Sequence, residues 1–477
     1  KVFREKQKVD LIGCAYCHNY NKNENAVLYN PQFKGIIEEY PLFSKQDVKK
    51  LGEYLKEKLS SDPGFQIFNR FIHSEIGPSK MLLDHVGDMI NKQQVFNLID
   101  DQIAARNAIM DRAKKQSKQH DKSVIIVKGG PGTGKSVIAL EVMGELMRTG
   151  KPVYHATGSS AFTKTLRKIV GKRAEKFYKF FFNFTKLKEN EISVLICDEA
   201  HRIRKDSNNW GVPSAFKSKN PQIDDLIKPA KLSVFFIDEH QIVRPNEVGN
   251  VELIKNSALK LGVPKSNIFE FELKTQFRCS GSDSFLQWLE DVLNIRETEL
   301  PISLESSEMK FEVVDSPKKL KDIIDMKNKE KPNSARIVAG FCWPWSNPKS
   351  DGTLVNDVKI GNFEMPWENK YNAWSWAIDK EGMDQVGTVY TSQGFEFDYI
   401  GVIFSNDLVY DKKQNKWVAK PENSHDSGAV RGNTELTKHL KNVYRVLMSR
   451  AHKGVYVYFV NKDTEEYFKS KMGKSLK

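Results

Sequence analysis

Residues 123–136 read SVIIVKGGPGTGKS: an apolar run that ends in Gly129-Gly130-Pro131-Gly132-Thr133-Gly134-Lys135-Ser136. The octet satisfies G-x-x-x-x-G-K-[ST], and it lies between a strand pattern and a helical one, SVIALEVMGELMRT, where phosphate binding requires it. The glycines let backbone N–H groups close around phosphate oxygens, and the helix N-terminus adds favourable partial charge. Gly130, Pro131, Gly132, Thr133 and Gly134 are therefore read as the cradle of a nucleoside triphosphate. Lys135 reaches its β- and γ-phosphates and Ser136 ligates Mg²⁺. The helix that follows turns Ile138, Met143 and Leu146 to one face, and Gly150 stops it.

A phosphate cradle alone hydrolyses nothing. Hydrolysis also needs a carboxylate to hold the metal and a base to orient water. SVLICDEAH (193–201) supplies both at the end of an apolar run: Asp198 for Mg²⁺ and Glu199 for the water. A second run, SVFFIDEHQIVRP (233–245), ends in Asp238, Glu239 and Gln241. Only one of the two can be the metal-holding strand beside the loop.

Working outward, short apolar runs alternate with helical stretches: KPVYHATG, ARIVAGF, QVGTVYTSQG, FDYIGVIF and GVYVYFV join the three above. Several are nearly continuous in Val, Ile and Phe, as strands covered on both faces are. The alternation predicts a parallel α/β architecture. Residues 346–362 and 410–433, rich in Asn, Asp, Ser, Gly and Lys, are read as loops. Before residue 96 the character is mixed: a strand-like opening, then SKQDVKKLGEYLKEKL with Ser44 as N-cap.

The chain has 477 residues, 39% hydrophobic and 28% charged, which suits a folded protein of several domains. No run approaches the ~20 apolar residues of a membrane span. Lys and Arg (74) exceed Asp and Glu (61), giving a net charge of +13. Such an excess fits either a polyanionic partner, through counterion release, or a solvated lysine-rich surface. Five cysteines make no disulfide framework, so a reducing cytoplasm is expected. Cys14-Ala15-Tyr16-Cys17-His18 matches a haem-attachment string and half a zinc site. It reads better as a buried strand whose cysteines are small hydrophobes. The opening KVFREKQKVD, without Met, is expected of a longer protein.

The stretch SSAFTKTLRKIVGKRAEKFYKFFFNFTKLK (159–188) interleaves Lys164, Arg167, Lys168, Lys172, Arg173, Lys176 and Lys179 with aromatic rings. Basic groups that track phosphates beside rings that stack bases are the ingredients of a single-strand groove. The Phe run at 180–184 is read instead as core or interface, and the Lys and Arg residues as the contacts. Ser159 and Ser160 are read as donors to a phosphate. No base-reading motif is present.

Taken in order, these motifs resemble superfamily-1 helicases, and within them the Schlafen group-3-like DNA/RNA helicase domain. The resemblance is carried by LIDDQIAARNAI, the phosphate loop, HATGSSAFTKTLRK, DEAH, DEHQ, TQFRCSGSDSFLQWL, FEMPW, GTVYTSQGFEFDYIGV and NVYRVLMSRAHKGVYVYF. It implies two RecA-like parallel-sheet P-loop NTPase lobes, 96–280 and 281–477, with ATP between them. Residues 1–95 are then a smaller N-terminal α/β segment, with room before it for a nuclease-like domain. The resemblance assigns Gln102 to the base edge of ATP, and Asp198 rather than Asp238 to the metal-holding strand. Gln241 falls to the γ-phosphate, Gly394 and Glu396 to the nucleotide, and Thr391 to nucleic acid. Arg278 and Arg450 become cations for the γ-phosphate from the second lobe. Cofactors are then ATP and Mg²⁺, and the partner is single-stranded DNA or RNA. DEHQ departs from the Gly-Asp that more often precedes this Gln. The short gaps between motifs leave no room for the large inserted domains of processive unwinding enzymes. The function implied is a nucleic-acid-dependent ATPase, helicase or translocase. The alternative is an ATP-gated switch that controls a partner or fused nuclease without unwinding.

Overall fold

Val124, Ile125, Ile126 and Val127 are all buried, so neighbours cover both faces of the strand they form. A parallel sheet between helices provides such cover. The computed structural model describes residues 2–3, 12–23, 26–59, 76–77, 98–115, 122–209, 211–274, 283–296, 304 and 309–472. The chain divides into compact units at 2–76 and 77–477.

In the smaller unit, strand Ala15–Cys17 pairs in parallel with Leu42–Ser44. Ser44 then closes a capping box with Asp47, and helix Val48–Lys58 follows. The expected strand forms, but it is not buried: Cys14 is exposed and Cys17 only half-buried. A pair of three-residue strands gives too little cover to enclose them.

The larger unit begins with α1 (Asp100–Lys115) and then runs β1 (Ser123–Gly129), α2 (Lys135–Arg148), β2 (Val153–Thr157), α3 (Ser160–Ala174) and β3 (Tyr178–Phe180). Next come β4 (Ile192–Asp198), β5 (Ala230–Ile237) and β6 (Ile268–Leu273). These strands form a six-stranded sheet of order β6-β1-β5-β4-β2-β3, parallel throughout. Alternate residues feed two cores. Ile125, Val127, Ile196 and Val234 join one, whereas Val124, Ile126, Leu195 and Phe235 join the other.

After α4 (Asp283–Val292) come β7 (Lys310–Val313), β8 (Ala335–Ala339), β9 (Val386–Gly387), β10 (Phe397–Phe404), α5 (Leu436–Met448) and β11 (Ala451–Phe459). The second sheet has the order β7-β11-β10-β8-β9 and is also parallel. It too separates two cores, with Val338, Val402 and Val457 on one side and Ile337, Ile403 and Tyr456 on the other. The chain is thus α/β with two RecA-like parallel sheets.

Each of the eight apolar runs read from the sequence contains a strand. The loop expected at 410–433 contains more order than its composition suggests. Leu408–Asp411 pairs antiparallel with Lys416–Ala419. Asp411 accepts the amides of Lys413 and Gln414 in the turn, and Trp417 is buried. The stretch 346–362 likewise ends in a short strand, Val358–Ile360. Among the described residues no helix is long and apolar enough to cross a membrane.

Candidate functional site

The phosphate loop leaves β1 and enters α2 with Gly132 and Gly134 at positive φ, +77° and +86°. A side chain at Gly134 would also run into Gln102, so this position requires glycine twice over. Lys135 is buried, and its Nζ donates to the carbonyls of Gly129 and Gly130, both at 2.7 Å. Thr133 Oγ1 donates to Gly130 O at 3.0 Å. Gln102 Nε2 donates to Thr133 O at 2.8 Å, while its Oε1 accepts from the Ile99 amide at 3.2 Å. Gln102 therefore braces the loop here, and pairing with a base edge requires its amide to turn. Ser136 stands half-exposed in the first turn of α2.

β4 ends at Asp198, which is fully buried with Oδ2 3.6 Å from His155 Nε2. Glu199 leaves the strand in the left-handed region, at φ 54°, rare for a non-glycine residue and common at functional turns. Its Oε2 lies 3.0 Å from His201 Nε2. Burial pushes its carboxyl up, but His201, Lys135 and Arg450 outweigh burial and hold it well below the usual carboxylate range. Glu199 is therefore ionised.

Asp198 Oδ2 is buried without a hydrogen-bond partner, and Glu199 Oε2, equally buried, pairs with His201. Together with the glycine-rich turn of the loop, these carboxylates fit Mg²⁺-ATP. Ser136 and Asp198 would hold the cation, and Glu199 would face the water. The cation would neutralise charge developing on the phosphate oxygens.

β5 ends at Asp238, also buried. Burial raises its carboxyl, but the charges of Arg445 and Lys135 and the Gln241 hydrogen bond prevail and hold it far below the ordinary range. Gln241 Nε2 donates to Asp238 Oδ2 at 2.9 Å, and Gln241 Oε1 accepts from Arg450 Nη2 at 3.1 Å. Arg450, between α5 and β11, comes from the second sheet. Gln393 Nε2 and Asn442 Nδ2, from the same side, donate to Gln241 O and Ile242 O at 3.2 and 2.8 Å. The turn after β5 is thus gripped by residues some 150–210 positions later. Arg278 lies outside the described residues.

Residues 122–461 match the family described as Schlafen group 3, DNA/RNA helicase domain. The chain belongs to this family. It is 22% identical to an uncharacterized protein of Saccharomyces cerevisiae, YPL245W, over 79% of this chain and 91% of the relative. Among solved structures it is similar to the Pif1 helicase from Candida albicans, with TM-score 0.34 and 14% identity over 79% of this chain and 100% of that one. It is also similar to S. cerevisiae Dbp5 bound to RNA and ADP BeF3, with TM-score 0.31 and 12% identity over 79% of this chain and 92% of that one. A Schlafen group 3 helicase domain is a nucleic-acid-related, nucleotide-binding P-loop domain, and the loop geometry above agrees with that.

The remaining expected residues of this helicase domain fall in several settings. At the end of β2, Ser159 is buried and caps α3, accepting the Phe162 amide at 3.3 Å, while Ser160 is exposed. Lys164 is exposed on α3. Arg167 is committed, donating from Nε to Tyr178 O at 2.8 Å, and Lys168 reaches Asp379 at 3.3 Å. The Phe run divides: Phe181 and Phe184 are core, whereas Phe180 and Phe182 stack half-buried, 5.2 Å apart, with Arg167 over Phe180. Gly394, at φ +90°, lies where any side chain would press on the Phe162 ring. Glu396 pairs with His452 at 3.1 Å.

Thr391 is buried, and its hydroxyl joins that of Thr388 on Glu368 Oε1, at 3.1 and 3.0 Å. Glu368, fully buried, is a residue that sequence reasoning passed over, as it did His201, Arg445 and Asn442. The only signal for Glu368 was its place directly after FEMPW. The other three lie inside the quoted motifs DEAH and NVYRVLMSRAHKGVYVYF, but nothing local marks them as buried.

Proposed function

We propose that this Schlafen group 3 domain is a Mg²⁺-dependent ATPase stimulated by single-stranded DNA or RNA. In this reading residues 96–280 and 281–477 are lobes that close on ATP and reopen after hydrolysis. One observation carries it: the buried carboxylate of Glu199 lies in the field of both Lys135, from the phosphate loop, and Arg450, from the second sheet. Cations from two sides around one carboxylate suit a transferring phosphoryl group, whose charge spreads over its equatorial oxygens.

In that cleft Lys135 leaves its carbonyl partners for the β- and γ-phosphates. Ser136 and Asp198 hold Mg²⁺, and Glu199 accepts a proton from the attacking water. Gln241 and Arg450 face the γ-phosphate, Gln102 reads the adenine edge, and Gly394 and Glu396 border the nucleotide. Ser160, Lys164 and Lys168 at the ends of β2 and α3, with Thr391 opposite, follow the nucleic-acid backbone.

The test is ATP turnover with and without single-stranded DNA or RNA, for the wild type, Lys135→Ala and Glu199→Gln. Strong stimulation by one polymer, lost in both variants, is expected. Turnover indifferent to every nucleic acid overturns this reading in favour of an ATP-gated switch. A displacement assay on tailed duplexes then separates unwinding from translocation.

A further inference from the structure

Gln241 and Arg450 end a longer buried chain of charges that begins with two residues not yet given a role. Arg445 lies on α5, one turn before Arg450, and is only 2% exposed. Its Nε and Nη2 both donate to Glu290 Oε1 on α4, at 2.8 and 2.6 Å. Phe285, Trp288 and Leu289 of α4 share a core with Tyr444 and Leu447 of α5, so this ion pair is internal to the second sheet's own layer. The third nitrogen differs. Nη1 makes no hydrogen bond, and it lies 3.6 Å from Asp238 Oδ2 on the first sheet's side. Asp238 Oδ2 accepts from Gln241 Nε2, and Gln241 Oε1 accepts from Arg450 Nη2.

An ion pair that served only to fix α4 on α5 would explain the two bonds to Glu290. It would not explain a buried nitrogen that is ion-paired with a carboxylate of the opposite sheet yet stays short of hydrogen-bond distance, because a buried donor without its hydrogen bond costs stability. The distance from 3.6 Å to a charge-assisted bond of about 2.9 Å is under an ångström. That is the scale of motion by which two packed layers tighten.

We propose that Arg445 is a positioning residue that latches the cleft. When the sheets close on nucleotide, Nη1 captures Asp238, and through Asp238 and Gln241 this fixes where Arg450 stands. Glu290 holds the guanidinium at the angle that leaves Nη1 free to do so. The inference rests on the ATPase reading and deepens it, because it names a residue that couples closure to the arginine at the phosphate.

Arg445→Lys keeps charge and stem but loses the planar fork that serves Glu290 and Asp238 together. Glu290→Gln keeps shape and loses only the anchor's charge. We expect Arg445→Lys to lower kcat for ATP about 10- to 100-fold, the worth of one charge-assisted bond, with KM changed less than about threefold. Glu290→Gln should fall between it and the wild type. Asp238→Asn combined with Arg445→Lys should lose little more than the worse single variant, because both act through one contact.

A second readout needs no turnover. A non-hydrolysable ATP analogue should raise the melting temperature of the wild type, and should raise it less in Arg445→Lys. An unchanged kcat with a full analogue-induced shift overturns the latch. So does a rise in KM alone, or a loss of melting temperature that is equal with and without the analogue. A wild type that binds the analogue but does not turn over ATP overturns the ATPase reading, and the latch is then judged on the melting shift. A wild type that does neither overturns both.

Discussion

Lys135 and Arg450 act on the same carboxylate from opposite sheets, and they are held there differently. Lys135 is tied to carbonyls five and six residues away, inside the loop that carries it. Arg450 is tied to Gln241, 209 residues earlier in the turn after β5, as well as to the preceding helix at Val446. The first half of the site is therefore preformed by local chain geometry. The second half exists only while two layers stay in register. Damage to the first half should remove nucleotide binding itself, whereas damage to the second should leave binding and remove what binding accomplishes.

The largest effect that would sharpen this contrast is at Arg450. Arg450→Ala should lower ATP turnover about a thousandfold or more, the range seen for arginines that meet a transferring phosphoryl group. Affinity for a fluorescent ATP analogue should change far less. Lys135→Ala should lose both. Equal loss of binding in the two variants would break the distinction, because it would make the second sheet part of the cradle rather than a cation brought to it.

This contrast also explains how much the sequence revealed. The strands of both sheets were legible wherever helices cover both faces, because such strands are continuously apolar. β6, Ile268–Leu273, escaped notice because it is an edge strand that alternates Phe with Glu, and β3 and β7 escaped because they are short and carry Lys or Glu between their apolar residues. Within the site, Gly129–Ser136, Asp198 and Glu199 were legible because the chemistry needs them at fixed spacing. Arg445, Glu290 and Glu368 were not, since each draws its environment from residues 20 or more positions away. The Phe run at 180–184 shows the limit from the other side. Composition placed it in the core or an interface, and the structure puts Phe181 and Phe184 in the core and leaves Phe180 and Phe182 stacked and half-buried.

A middle-sized effect probes the register of the two layers. Gly394 and Gly171 are both at positive φ, +90° and +74°, but a side chain at Gly394 meets Phe162 whereas one at Gly171 meets open space. Alanine at either position adds backbone strain of about 1–3 kcal/mol. Gly394→Ala should therefore cost more than Gly171→Ala in chemical denaturation, and it should also reduce stimulation of turnover by nucleic acid. Equal costs would show that the layers are not packed through this contact.

A smaller effect separates the two lysines of α3. Lys164 is exposed, while Lys168 is shared with Asp379 and the ring of Trp374. Lys164→Ala should reduce the slope of log affinity against log salt by about one, as expected when one phosphate is no longer neutralised. Lys168→Ala should change the slope less. A larger change at Lys168 would mean that its tie to the second sheet gives way when nucleic acid binds.

The smallest effect concerns Glu368, whose carboxyl receives the Thr388 and Thr391 hydroxyls on one oxygen and nothing on the other. Burial pushes its pKa up from 4.5 to about 7, and the two hydroxyls offset only part of that. Between those values the folded protein keeps a proton that the unfolded chain has released. By linkage its stability therefore falls as pH rises through this window and levels off above it. Glu368→Gln carries no such proton. Its melting temperature should decline less than the wild type's between pH 5 and pH 7.5, so that the gap between the two shifts in the variant's favour as pH rises. Parallel curves would mean that Glu368 is already ionised in the fold. Thr391 would then stand beside a full negative charge, a poor place to receive a phosphate, and the nucleic-acid path would have to run through the α3 side of the cleft instead.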